Sequence, residues 1–507
     1  MQQTNCICTA TGEAHRMAPM KTVTKERIPL YEQVAGRIAV MVEQGTFRPG
    51  ERVPSVRSLS RQFKVSISTV MEAYGLLEDR GVVTARPQSG YYVCPRLPAL
   101  PRTPEINPPM LRPTTVDTGE LALMIFRDAG NPALVQLGAA VPDMENLPVD
   151  RLNRMLSVEA RRYRLQSLAY ELPAGCMRLR KQISRRMMTA GCTISPDEIL
   201  VTNGCTEAIT LALRAVCRPG DTVAVESPLF FNTLQTIASL GLKALEIPAH
   251  PAYGLNVETL RYVLENNRVS ACLVMSNFSN PLGSLMPDDA KKELVQLLAR
   301  HEIPLIEDDI FGDLCHGVQR PIVAKAFDSR GLVLLCSSFS KTIAPGYRVG
   351  WIAPGRFAPQ VERLKAVTSL TTSVPPQFAI AEFLANGGYD FHLRRLRRIY
   401  IRQMSLLGQA VGRCFPAGTR VSRPEGGFVL WVEMPETVDS LKLYEQAREQ
   451  GITFAPGPLF SAQPGKFRNC LRLNAAFWSD KVVEGVALLG RLAMDMAVDV
   501  RDKSPQG

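Results

Sequence analysis

The chain has 507 residues, 46% hydrophobic and 21% charged, the make-up of an ordinary globular protein long enough for several domains. The sequence has no run of 18 apolar residues and no apolar stretch in its first 20 residues. Its cysteines are scattered apart from Cys6 and Cys8, and its five histidines are far apart, which argues against a membrane span, a secretory leader, a disulfide framework and a metal site, and for a reducing cytoplasm. The net charge of +11 is concentrated towards the N-terminus, where residues 25–93 hold 10 Lys+Arg against 7 Asp+Glu while residues 119–507 hold 44 against 38, and this points towards a nucleic-acid partner.

Residues 1–24 read as a disordered tail, with Met17 and Met20 as alternative starts. A first domain is expected over residues 25–94. Leu30, Val34, Ile38, Met41 and Val42 recur at helical spacing, and Gly45 stops that helix. Ser55 caps a second helix that runs to Phe63. Ser66 or Ser68 caps a third, with Val70, Tyr74 and Leu77 facing inward and Gly81 ending it. VVTARPQSGYYV then reads as two short strands around a turn. Helix, helix, short turn, helix and hairpin make a winged helix-turn-helix.

The RPGERVPS turn, the helix spacing and the RPQSGYYV wing together resemble the GntR family of bacterial DNA-binding domains over about residues 28–93. That resemblance implies a double-stranded DNA operator as partner. The third helix would enter the major groove with Ser66, Ile67, Ser68 and Thr69 at its leading end. The serines serve equally as helix caps, and both roles stay open. Arg57 resembles the family's phosphate-contacting arginine. Arg86, Gln88, Ser89 and Gly90 form the wing tip.

Residues 95–118 are proline-dense (CPRLPALPRTPEINPPMLRP lies at 94–113) and have no hydrophobic period. Such composition favours a semi-stiff extended linker with a reach of up to ~75 Å at ~3.1 Å per residue.

From about residue 150, helical segments such as 206–217 and 287–300 alternate with apolar runs. The runs are EILVT, TVAVE, KALEIP, ACLVMS, IPLIED and LVLLCSSF. Alternation of this kind predicts an α/β domain over 119–507, with a large, mostly parallel sheet covered by helices on both faces. Ligands bind at the carboxyl ends of strands in such sheets. Those ends carry Gly204, Cys205 and Thr206, then Phe230, Asn280, Asp308, Ser338, Lys341 and Arg348, and finally Arg472.

In this order and spacing the residues resemble the class I aminotransferases of the fold-type I pyridoxal-phosphate enzymes, over about residues 130–495. The resemblance implies a smaller C-terminal α+β subdomain and pyridoxal 5′-phosphate as cofactor. Lys341 would join its aldehyde, and Asp308 would pair with its ring nitrogen. Asn280 would bind its O3′, and Phe230 would stack on its ring. Ser338, Arg348 and the 204–206 loop would hold its phosphate. Tyr170 resembles a tyrosine that reaches a neighbouring subunit's phosphate, which implies a homodimer. Arg472 resembles the arginine that clamps an α-carboxylate. Phe311 stands where many relatives carry tyrosine, so one hydroxyl is missing beside O3′.

The two parts joined in this order resemble the MocR subfamily of GntR regulators. The resemblance implies a transcription factor whose aminotransferase-like domain senses pyridoxal phosphate or a small amino compound. A working aminotransferase with a regulatory DNA-binding appendage, and a mere dimerisation scaffold, are the competing readings.

Overall fold

The computed structural model describes residues 29–43, 46–47, 50–86, 89–93, 100–116, 119–128 and 131–502. The expected tail, Gly45 and Gln88 lie outside them. The chain forms two compact units, residues 1–95 and 96–507.

The first unit contains helices α1 (Leu30–Glu43), α2 (Val56–Phe63) and α3 (Ile67–Asp79), then strands β1 (Val83–Arg86) and β2 (Gly90–Val93). Val34, Ile38, Leu59, Val70, Tyr74 and Leu77 are buried together, as their spacing predicts, whereas Leu30 is exposed. Ser55 caps α2 by accepting a bond from the Ser58 amide, and Lys64 in the left-handed region ends it. The cap of α3 is Ser66 and not Ser68: its Oγ accepts from the Thr69 amide at 3.1 Å. Strands β1 and β2 pair antiparallel, with Arg86 opposite Gly90.

The proline-dense segment does not act as the free spacer that its composition suggests. Residues 100–116 are strapped to the large unit at three stations. The Arg102 carbonyl accepts from the Val421 amide at 2.8 Å, and Glu105 pairs with Arg420 at 2.7 Å. The Met110 amide and carbonyl both bond the side chain of Gln463, at 2.9 and 2.7 Å. Thr114 exchanges two backbone bonds with Ala244, at 2.8 and 3.0 Å. Pro104 and Pro109 are buried. Prolines suit such a strap because its partners satisfy the few donors it has. The ~75 Å reach estimated from the whole of residues 95–118 therefore does not hold. Helix α4 (Gly119–Asp128) follows the strap directly.

The large unit is built on an eight-stranded sheet. In chain order its strands are β3 (Leu200–Thr202), β4 (Thr222–Ser227), β5 (Lys243–His250), β6 (Gly254–Leu255), β7 (Ala271–Val274), β8 (Leu305–Asp308), β9 (Val333–Ser338) and β10 (Gly350–Ala353). The spatial order is β3-β10-β9-β8-β7-β4-β5-β6. The five central strands β9, β8, β7, β4 and β5 run parallel. They coincide with the apolar runs read from the sequence, because strands buried on both faces lose the alternating pattern and become continuous. Strand β10 is inserted antiparallel between β9 and β3. Helix α5 (Cys205–Val216) packs against the sheet from the end of β3. A second, four-stranded sheet forms the smaller subdomain. It contains β11 (Arg420–Val421), β12 (Val429–Glu433), β13 (Ala455–Pro456) and β14 (Cys470–Asn474), in the order β11-β12-β14-β13.

Candidate functional site

Parallel strands end on one edge of a sheet, so the polar residues that terminate β3, β4, β7, β8 and β9 converge there on a cavity of about 250 Å³. Cys205, Thr206, Phe230, Asn280, Asp308, Phe311, Ser338, Lys341 and Arg348 all line it.

At the end of β3, Gly204 caps α5 with φ +86°, and a Cβ there would collide with the Arg348 guanidinium. Arg348 donates to the Asn203 carbonyl at 3.2 Å and remains exposed towards the cleft. The start of α5 thus offers backbone N–H groups beside a cation, the arrangement that holds a phosphate. The Ser338 hydroxyl accepts from the Ser340 amide at 3.2 Å. Ser340, missed from the sequence although it lies within SFSK, also lines the cavity.

Asp308 is buried and accepts from Cys205 Sγ at 3.3 Å and the Ile310 amide at 3.1 Å. Burial lifts its carboxyl to about 6. Lys341 donates to the Ala140 carbonyl at 2.5 Å. Burial and the nearby Arg472 bring its amine down to about 8, against the opposing pull of Asp308. A lysine tuned in this way is a nucleophile near neutral pH.

Arg472 projects from β14 and is fully buried, with no carboxylate partner among the described residues. Its guanidinium donates to Asn280 Oδ1 at 2.9 Å and to the Gly138 carbonyl, and its Nε has no hydrogen-bond partner among the described residues. The rings of Phe460, Phe231 and Phe230 lie 5.2, 5.8 and 6.0 Å away. Burial lowers its pKa to about 9. A desolvated cation with a spare donor is a ready site for a carboxylate. Phe460 is buried and walls this cation.

Phe311 is buried edge-on against Phe428 at 5.3 Å and still borders the cavity. Tyr170 is elsewhere: it is 83% exposed and does not line the cleft of its own chain. Phe126 of α4 lines the mouth and packs on Phe231 at 5.5 Å. No sequence signal marked it, because the ten-residue α4 carries no motif.

In the first unit, Ser66 Oγ also lies 2.8 Å from both Ser68 Oγ and Thr69 Oγ1, forming an exposed hydroxyl cluster at the start of α3. Ile67 and Met71 are about half exposed on the same helix, and Arg57 is exposed on α2. Arg86, Ser89 and Gly90 meet at the wing tip.

Two family models match the chain. Bacterial regulatory proteins of the gntR family match residues 30–93, and aminotransferase class I and II matches residues 151–487. The HTH-type transcriptional regulator YjiR of Escherichia coli K12 is 41% identical over 88% of this chain and 94% of its own length. YdcR of the same organism is 38% identical over 92% and 99%. Among solved structures, the kynurenine aminotransferase of Pyrococcus horikoshii is 28% identical with a TM-score of 0.69, covering 75% of this chain and 95% of that one. The multiple substrate aminotransferase of Thermococcus profundus gives 25% identity and a TM-score of 0.70, over 76% and 96%.

Proposed function

The chain belongs to the HTH-type transcriptional regulators that join a GntR domain to a class I and II aminotransferase domain, and from that membership we propose that it is a DNA-binding regulator whose cleft senses a small amino compound through pyridoxal phosphate. The observation that carries this reading is Arg472, a buried cation with a spare donor and no carboxylate partner among the described residues, close to a nucleophilic lysine.

The residues present fit the cofactor. Gly204 leaves room for the Arg348 guanidinium to lie against the start of α5, and Asp308 accepts only from a sulfhydryl and an amide among the described residues. Bound there, pyridoxal phosphate would supply an aldehyde that amines can join and a ring that withdraws electrons from them. Lys341 would provide the amine that holds the aldehyde. Asp308 would keep a proton on the ring nitrogen, and Phe230 would stack on the ring. Gly204, Cys205, Thr206, Ser338 and Arg348 would hold the phosphate. Asn280 uses its oxygen for Arg472, which leaves its NH₂ to donate to the ring hydroxyl. Phe311 adds no donor there. Arg472 would take the carboxylate of an amino acid.

The reading includes a homodimer in the cytoplasm. Leu165, Leu168, Tyr170 and Leu172 are 82%, 86%, 83% and 68% exposed in one chain, an apolar run that a second copy would cover. Tyr170 would then reach the partner's phosphate site.

The test combines three measurements on the full chain: cofactor absorbance, its change when amino acids are added, and DNA affinity with and without them. A change in absorbance coupled to a change in DNA affinity supports the sensor. The retention of Lys341, Asp308 and Arg472 together favours a second reading, a working aminotransferase, and sustained keto-acid formation would establish it. A purified protein that takes up no cofactor would leave only a scaffold.

For the DNA-reading face, Ser66, Ile67, Ser68 and Thr69 would meet base edges, with Arg86, Ser89 and Gly90 in the wing. Exposed Arg57 would contact a phosphate. Arg57→Ala should weaken binding evenly across sequences and lower the slope of log affinity against log salt by about 0.9. A changed preference at one base position would instead make Arg57 a base reader.

A further inference from the structure

The wing carries Arg86, the segment beside it carries Arg52, and both flank Gly90. Residues 50–53 run alongside β2: the Gly50 amide bonds the Val93 carbonyl, the Val93 amide bonds the Glu51 carbonyl, and the Val53 amide bonds the Tyr91 carbonyl, at 2.8, 2.8 and 3.0 Å. Arg52 therefore sits beside Tyr92 on the neighbouring strand. Its guanidinium lies across Gly90, where a Cβ would come within 3.2 Å of Nε and NH2. Gly90 also has φ +106°, so glycine serves both the turn and the arginine. In the hairpin register Gly90 faces Arg86. The Arg86 guanidinium lies 4.3 Å from the centre of the Tyr92 ring. The Tyr92 hydroxyl is tied to Ser89 Oγ at 2.6 Å.

Both arginines are exposed. Two guanidinium groups gathered at one tip repel each other, and stacking on one aromatic ring offsets only part of that cost. An oxyanion placed between them removes the repulsion and suits the planar donor fork of arginine.

We propose that Arg52 and Arg86 form a two-guanidinium clamp for a DNA phosphodiester at the wing tip, with Tyr92 as the positioning residue that holds Arg86 and Ser89 in place. The clamp rests on the DNA-binding reading above and adds Arg52 and Tyr92 to it. Its partner is the backbone, so it contributes affinity and register and no base preference.

The experiment measures binding of the cofactor-loaded full chain to two duplexes across a salt series. One duplex is selected from a random pool by the unsubstituted protein, and the other is unselected. Arg52→Ala should weaken both equally and lower the salt slope by about 0.9. Gly90→Ala, which pushes a methyl group into the Arg52 guanidinium, should reproduce that change. Tyr92→Leu should remove the Arg86 contribution, while Tyr92→Phe keeps the ring under Arg86, loses only the bond to Ser89, and should lower the slope less than Tyr92→Leu does. Melting curves for each variant separate these effects from loss of fold, and Tyr92→Phe provides the comparison if Tyr92→Leu does not fold. An unchanged slope in Arg52→Ala, or a shift in preference at one base pair, overturns the clamp. If the unsubstituted protein binds neither duplex in a salt-dependent way, the DNA-binding reading itself fails.

Discussion

Lys341→Ala should give a folded protein that no longer holds pyridoxal phosphate covalently. The absorbance of the lysine-linked cofactor and its borohydride-trappable adduct should both disappear, while Asp308, Arg348 and the start of α5 still bind the free cofactor weakly. The pH dependence follows from the lysine's environment. Its amine is lowered from 10.5 to about 8, chiefly by burial. At neutral pH a shift of that size leaves roughly 300-fold more free amine than an ordinary lysine would have. Only the free amine attacks an aldehyde, so the rate of cofactor loading should rise with pH up to about 8 and then level off. Stopped-flow absorbance measures this rate. A rate still climbing towards pH 10, or an adduct mapped by mass spectrometry to another lysine, would sink the assignment.

The second large effect belongs to Arg472. Arg472→Met should abolish the spectral response to amino acids, weakening it by about a hundredfold or more, as expected for loss of charged hydrogen bonds to a carboxylate. The same variant should melt no lower than the unsubstituted protein in the absence of amino acids. Burial lowers the folded pKa of Arg472 to about 9, below its unfolded value. The cost of keeping it protonated in the fold is thus fully present below about pH 9 and shrinks as pH rises above it. Any stability gained by methionine should accordingly be greatest at neutral pH and fade in alkali. The acceptors on Asn280 and Gly138, left without their donor, limit the gain. A large drop in melting temperature at neutral pH would mean that the guanidinium has a stabilising partner in the free protein.

Much of this arrangement was legible because its signals are local. Helical spacing placed Val34, Ile38, Val70 and Tyr74 in one core, and the apolar runs marked all five parallel strands. Strand ends in a parallel sheet share an edge, so residues as distant in sequence as Cys205 and Lys341 were already neighbours once the strands were read. The features that escaped depend on distant partners. The strap reads as a spacer because Met110 finds Gln463 only 353 positions later. Strand β10 is short and antiparallel, and nothing in its alternation distinguishes it from its parallel neighbours. Two candidate caps two residues apart, Ser66 and Ser68, differ only in which hydroxyl reaches the Thr69 amide. The isolation of Arg472 from the carboxylates of the described residues has no one-dimensional trace. Tyr170 lies outside its own chain's cleft, and its proposed role needs a second copy.

The strap also guards a vulnerable border of the large sheet. Short β6 pairs only with the far end of β5, at Ala249 and His250. Near the other end of β5, Thr114 takes up the outward-facing amide and carbonyl of Ala244. Leu111 and Val116, flanking Thr114, pack onto the apolar clusters beneath. A fragment that begins at residue 119 would bare that backbone and those apolar surfaces together, the combination that invites edge-to-edge association of sheets. A fragment that begins near residue 100 keeps the border closed. The place to divide this protein therefore lies near residue 100, and residues 100–116 belong to the domain they seem to precede.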